Sequence, residues 1–242
     1  MSVLAFDTAT RATTVALAAE GGELIEARDD PAPGERPRHT TLLMKLVTDV
    51  LERSGSGWEG VDRIAVGVGP GTFTGLRIGI ATARALARAR AIDLAGVSTL
   101  ESLALGAADN AARAGRDAVL AVIDARRGEV FAAAWTVSEL ARSGPRESLL
   151  APAAFAPEAL AERAARAGQK TLAVGDGALA FRGVLAGPAT EIPHERSTVH
   201  LVHAAYHCRL GRDAEPAAGG DVRPEYLRLP DAEISYRASH QR

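Results

Sequence analysis

The chain has 242 residues, enough for one large domain or two small ones with a buried interior. It is alanine-heavy and only 4% aromatic, which favours helices packed on sheets over a β-sandwich. A formal net charge of −2 excludes a global field that would draw it onto nucleic acid or an anionic membrane, and the single Cys208 excludes an internal disulfide framework.

Residues 3–6 form a short apolar run ending at Asp7-Thr8, a buried strand entering a turn. Residues 13–19 and 23–28 read as two further strands joined at Gly21-Gly22, and 29–38, with three prolines, as a loop. Leu42, Leu43, Leu46, Val47, Val50 and Leu51 recur at helical spacing over 39–53. Residues 64–68 are a buried strand, 69–71 a glycine-proline turn, and a helix runs from about 74 to 90. A strand near 94–97 and a helix over 99–113 complete the first half.

The order then begins again. Residues 119–123 are an apolar strand ending in Asp124, followed by strands at 129–136 and near 148–150, a helix at 157–167, a strand at 171–174, a helix near 178–185, a strand near 191 and a helix at 199–210. Such a duplication is the layout of an α/β, two-lobed actin-like ATPase (RNase H-like) fold in compact form. The expected division is a first lobe over 1–103, a second over 104–228 and a polar tail over 229–242, with the crossover between halves at 97–117 and a surface loop at 213–220. No basic leader precedes an apolar stretch and no long apolar window occurs, so a soluble cytoplasmic protein is expected.

The glycine turn delivers a helix N-terminus with free N–H groups, an arrangement suited to anions. It lacks the Lys-Ser/Thr of a Walker loop, and Pro70 interrupts any dinucleotide fingerprint. It therefore reads equally as a structural strand-to-helix turn or as a ligand loop. Asp7 and Asp124 end corresponding strands, so the repeat places them facing each other across a cleft. With Thr8, Gly69, Gly71 and Thr72 they form a candidate nucleotide or anion site, to which Thr10 and Thr13 add hydroxyls. His200, His203 and His207 share one face of the last expected helix, and two of them have chelating spacing, but no third ligand presents itself. His39 reads as packed or capping. Cys208 reads as a small buried hydrophobe. Ser98 and Ser102 lack an identifiable His-Asp set.

At 100° per residue, Arg77, Arg84 and Arg88 share one face of the 74–90 helix with Ala81. Opposite lie Gly75, Gly79, Thr82 and Leu86, and the flanks carry Leu76, Ile80, Ala87 and Ile78, Ala85, Ala89. A helix this apolar needs cover on two sides, its own sheet and either a neighbouring helix or a partner protein at the Gly75/Gly79/Thr82/Leu86 ridge, unless it is fully internal. The arginine stripe, like Arg126-Arg127 in the second hairpin turn, is a solvated face or a surface for phosphate or acidic groups.

Phe6-Asp7-Thr8-Ala9-Thr10, Gly69-Pro-Gly-Thr-Phe-Thr-Gly-Leu-Arg-Ile-Gly79, Val97-Ser-Thr-Leu-Glu-Ser102, Asp124-Ala-Arg-Arg-Gly-Glu-Val-Phe131 and Pro224-Glu-Tyr-Leu-Arg228 occur in this order. Together they resemble the TsaB (YeaZ) family of bacterial tRNA threonylcarbamoyladenosine biosynthesis proteins. The resemblance implies the actin-like fold and a non-catalytic scaffold. Such a scaffold pairs with a TsaD homologue through first-lobe helices, forms a homodimer in isolation, works with the ATPase TsaE and meets tRNA only through the complex, with no membrane partner. The catalytic TsaD relatives carry two metal-binding histidines where this chain has Thr99 and Leu103, so neither a metal nor a catalytic residue is expected here. No cofactor is expected beyond an adenine nucleotide in the cleft. The other reading of the fold is a small-molecule phosphotransferase or ATPase.

Overall fold

The computed structural model describes residues 1–21, 23–32, 34–217 and 221–228. The first half folds as β1 (Val3–Asp7), β2 (Thr13–Ala18), β3 (Leu24–Asp29), α1 (His39–Ser54), β4 (Arg63–Gly69), α2 (Phe73–Arg90), β5 (Asp93–Ser98) and α3 (Thr99–Arg113). The second half opens with β6 (Ala118–Arg126), β7 (Glu129–Thr136), α4 (Val137–Ala141), β8 (Leu150–Phe155) and α5 (Pro157–Ala167). It closes with β9 (Thr171–Val174), α6 (Asp176–Ala180), α7 (Arg182–Leu185), β10 (Thr190–Glu191) and α8 (Ala204–Asp213).

The sheets run β3-β2-β1-β4-β5 and β8-β7-β6-β9-β10, the same order built twice. In each, the hairpin strands pair antiparallel and the later two parallel. This is the duplicated actin-like fold that the repeat predicts.

Strand alternation sorts side chains into layers. On the outer face of the first sheet, Leu4, Phe6, Ile64 and Val66 pack with Leu43 and Val47 of α1 and Ile80 and Ala83 of α2. On the inner face, Val3, Ala5, Ala16 and Ala65 share one core with Leu100 and Leu103 of α3, Ala204 and Cys208 of α8, and Val119 and Ala121 of the second sheet. Both α3 and α8 therefore stand between the sheets. The alanines of the inner face allow close approach: a Cβ on Gly211 of α8 would lie 2.3 Å from the Ala65 Cβ. The outer face of the second sheet packs Leu160 of α5 and Ala178 of α6 on Leu120 and Val122.

Four local expectations change. The helix predicted over 199–210 starts only at Ala204, because Thr198–His200 is a 3-10 turn and Leu201 and His203 are extended. The His200 ring, held between Gly175 N and Pro193 O, fixes that turn. The strand near 148–150 lies at Leu150–Phe155, the helix near 178–185 is split into α6 and α7, and α4 was not anticipated.

The expected lobe boundaries also change. Position 103/104 falls inside α3, and α8 lies on β1, β2 and β4. Beyond α8 the chain returns to the first lobe: Ala217 N donates to Leu94 O and Glu225 N to Val68 O, both at 2.8 Å, and Val222 joins the first outer core. The described C-terminal segment thus belongs with the first sheet and not with 104–228. Gly22, residues 218–220 of the surface loop and the 229–242 tail lie outside the described residues.

Candidate functional site

Asp7 has the same parity as Val3 and Ala5, so it points to the inner face, where it is 1% exposed. Its Oδ1 accepts from Ala9 N at 2.6 Å, and its Oδ2 accepts from Thr99 Oγ1 at 2.7 Å and from His207 Nε2 at 2.8 Å. Room for this comes from the neighbouring strand: a Cβ on Gly67 would sit 1.8 Å from Asp7 Oδ2. Across the ring, His207 Nδ1 lies 2.7 Å from the Ser102 hydroxyl. Burial alone would raise the Asp7 carboxyl, but the hydrogen bond and charge of His207, with the bonds from Thr99 and Ala9, outweigh it and hold the group below its ordinary range.

Ser102, His207 and Asp7 are therefore joined as a nucleophilic triad would be, which corrects the expectation that Ser102 has no such partners. Both Ser102 and His207 are 0% exposed, so no substrate reaches the hydroxyl. The arrangement acts as a brace joining β1, α3 and α8. Ser98 instead caps α3, accepting from Glu101 N at 3.3 Å.

The anion-loop candidates do converge, but on one another. Thr8 Oγ1 donates to Gly75 O and Thr72 N to Ala9 O, both at 2.7 Å. A Cβ on Gly71 would lie 2.4 Å from Ala9 O, and one on Gly69, whose φ is +107°, would meet Leu76 and Glu225 O. The glycines thus let the turn close on β1 and the C-terminal segment, which corrects the reading of Asp7, Thr8, Gly69, Gly71 and Thr72 as an open phosphate cradle. Asp124 engages its own hairpin turn, accepting from Arg126 N at 2.8 Å, with Arg126 Nη1 3.2 Å away. A cavity of about 470 Å³ does lie between the lobes, walled by Arg11, Arg28, Ile123, Asp176, Arg196 and His200 among others. Neither Asp7, 1% exposed, nor Asp124 forms part of that wall.

Half of the expected partner ridge is also internal. A Cβ on Gly75 would lie 1.9 Å from Thr8 O, and one on Gly79 2.4 Å from Thr8 Oγ1. The missing side chains make way for the chain's own β1–β2 turn, not for a second protein. Thr82 and Leu86 are half-buried. What α2 turns outward is the arginine stripe and, beside it, the flank of Thr74, Ala81, Ala85 and Ala89 with half-buried Ile78. On α1, which packs against α2, Leu42 and Leu46 are half-buried and Met44 is exposed.

The three late histidines diverge instead of sharing a helical face. His200 holds Gly175 and Pro193, His203 Nδ1 meets Glu26 Oε2 at 2.9 Å, and His207 serves Asp7. His39 is packed, 4% exposed and 2.8 Å from Thr13 Oγ1. Burial pushes the Cys208 thiol up to about 12. Thr99 and Leu103 are 0% and 1% exposed, one bonded to Asp7 and the other in the central core. Among the described residues no set of His, Cys, Asp and Glu is grouped to hold a metal, and no helix is long and apolar enough to cross a membrane.

Sequence reasoning missed a surface cluster. Phe73 and Tyr226 stack with ring centroids 5.4 Å apart, and Arg77 lies 3.7 Å above the Phe73 ring with Nε 3.2 Å from the Tyr226 hydroxyl. The only available signal was that all three fall in the quoted motifs.

Residues 35–236 match the family model of TsaD, tRNA N6-adenosine threonylcarbamoyltransferase. The Escherichia coli tRNA threonylcarbamoyladenosine biosynthesis protein TsaB is 37% identical over 177 residues, 73% of this chain and 72% of that protein. The chain belongs to the TsaB family. The TsaB of Bacillus subtilis is 30% identical over 54% of this chain, and the match spans about half of that protein, 53%. The solved structure of YeaZ from Pseudomonas aeruginosa superposes with a TM-score of 0.72 at 29% identity, covering 93% of this chain and 99% of that one. The TsaB family and the TsaD model thus meet in one chain, whose Asp7, Thr99 and Leu103 are sealed inside it.

Proposed function

We propose that the protein is a cytoplasmic, non-catalytic subunit that pairs with a TsaD-type transferase to support transfer of threonylcarbamoyl to the tRNA adenosine beside the anticodon. The observation that carries this reading is the buried Asp7–Thr99–His207–Ser102 network in a chain of the TsaB family. The chain keeps the transferase-like fold while its own hydroxyl and imidazole groups consume the acid. Nothing in that network is left to bind a metal, a phosphate or a nucleophilic water. A phosphotransferase would need an accessible acid at this strand end, and Asp7 is closed off. In this reading the chain has no resident nucleotide, works alongside a TsaE-type ATPase, and forms a homodimer when the transferase is absent.

The pairing surface is placed on α1 and α2, at the outward flank of Ile78, Thr82, Ala85 and Ala89 with Leu42, Leu46 and Met44. Apart from the Thr82 hydroxyl, these side chains are apolar groups of the two packed helices that the chain's own fold leaves partly open. Small residues there let another helix come close. The test is reconstitution with a TsaD homologue, a TsaE homologue, ATP, threonine-derived donor and unmodified tRNA. Transfer is expected only when this chain and the TsaD homologue are both present. ATP turnover or transfer by this chain alone, or full transfer without it, overturns the reading.

A further inference from the structure

Three of the sequence motifs meet at one place on the surface, although 150 residues separate their ends. The glycine-loop motif supplies Phe73 and Arg77, the hairpin motif supplies Arg126, Arg127 and Glu129, and the C-terminal motif supplies Tyr226 and Arg228. The Phe73–Tyr226 stack joins the first to the last, and Arg228 Nη1, 2.7 Å from Glu129 Oε2, joins the last to the second-lobe hairpin. None of these contacts contributes to a buried core. Phe73 is 38% exposed and Tyr226 41%, in a chain that is only 4% aromatic.

We propose that this patch binds unpaired RNA, and, resting on the function proposed above, that the RNA is the anticodon loop of tRNA presented to the assembled complex. The Tyr226 ring is an exposed π-face against an already stacked neighbour, which accepts any base without requiring its sequence. The Arg77 guanidinium lies over a ring and near a hydroxyl, with no carboxylate partner among the described residues, so its charge remains available to a phosphate. Arg126 and Arg127 both hold left-handed backbone, with φ of 65° and 57°, at a turn where glycine or asparagine would fit without strain. Both arginines of that turn are exposed, Arg126 holding Asp124 at 3.2 Å, on the hairpin that Glu129 ties to Arg228. Unpaired RNA matches both the arginines and the stack. An acidic protein could also pack on the aromatic pair, so loss of pairing against loss of RNA affinity is the outcome that separates the two. The patch adjoins the Ile78–Ala85 flank along the arginine stripe of α2, so pairing and RNA contact are measured side by side.

The experiment uses the complex of the full chain with a TsaD homologue and a fluorescent anticodon stem-loop, read by anisotropy at two salt concentrations, with a fully paired RNA of equal length beside it. Tyr226→Ala should weaken stem-loop binding by about tenfold and paired-RNA binding much less. Arg77→Ala should weaken both and lower the slope of log affinity against log salt by about 0.7. Both variants should melt and pair like the wild type. Unchanged stem-loop affinity in the double variant Arg77→Ala/Tyr226→Ala overturns the proposal, and so does a loss of pairing in place of RNA affinity. Transfer by the wild-type complex is measured in parallel. If that transfer is absent while the variants still lose RNA binding, the functional reading falls and the RNA surface stands.

Discussion

His207 shows how much one side chain supports when its partners come from three segments. Replacing it by alanine leaves the Asp7 carboxylate buried with one donor fewer beside a new cavity. His207→Ala should therefore cost on the order of 3–5 kcal/mol in urea or thermal unfolding. Ser102→Ala removes the hydroxyl from His207 Nδ1 and from His203 O, leaving Nδ1 the His203 carbonyl at 3.3 Å, and should cost about 1–3 kcal/mol. The pH dependence follows from Asp7, whose carboxyl is held below its ordinary 3.8 in the folded chain. A lowered folded value means that the contribution is fully present above the unfolded value and disappears as pH falls through the folded one. As pH falls below about 4, wild-type stability should drop more steeply than that of Asp7→Asn, whose neutral side chain has no such linkage. The sequence marks Asp7 as special through its motif and its place at a strand end. It does not reveal that the acid is sealed, because Thr99, Ser102 and His207 lie 92 to 200 residues from their partners. Only the return of α8 between the sheets brings them together.

Helix α2 shows the limit of a helical wheel. The spacing of Arg77, Arg84 and Arg88 correctly places the solvent side. Leu76, Ile80 and Ala87 fall on the buried side, as one expected flank should. The glycines are ambiguous on a wheel, since a missing side chain fits a close partner equally well whether it is another protein or the chain's own turn. Thr8 decides the matter, and it lies 67 residues away from Gly75. Two substitutions separate the cases. Gly79→Leu drives a side chain into the Thr8 hydroxyl and should lower stability by about 1–3 kcal/mol or more, seen as an earlier melt. Ala85→Glu sits on the exposed flank and should melt like the wild type, yet abolish pairing with the TsaD homologue in sedimentation velocity. A paired and active Ala85→Glu protein would move the interface off α2. The duplicated strand order was legible because each half repeats hairpin, helix, strand, helix. The place of α8 was not, since its alanines and glycine fit a tight central layer without announcing which sheet they meet.

At the scale of the whole molecule, the two sheets share a middle layer instead of merely touching. Val3, Ala5 and Ala65 of one sheet and Val119 and Ala121 of the other belong to a single core around α3 and α8. Amide hydrogen exchange should find the protons of α3 and α8 among the slowest in the chain, together with β1 and β6. Adding ATP or ADP at millimolar concentration should leave that pattern and the radius of gyration unchanged. A nucleotide-dependent compaction would overturn this. Mechanically, swinging the lobes apart would pull α3 and α8 out of a continuous apolar seam, so the motion would amount to partial unfolding. A body without such a hinge stores no stroke and transmits none of its own; in the pairing proposed above it would act as a bearing, holding surfaces at a fixed angle while the moving parts belong to other chains.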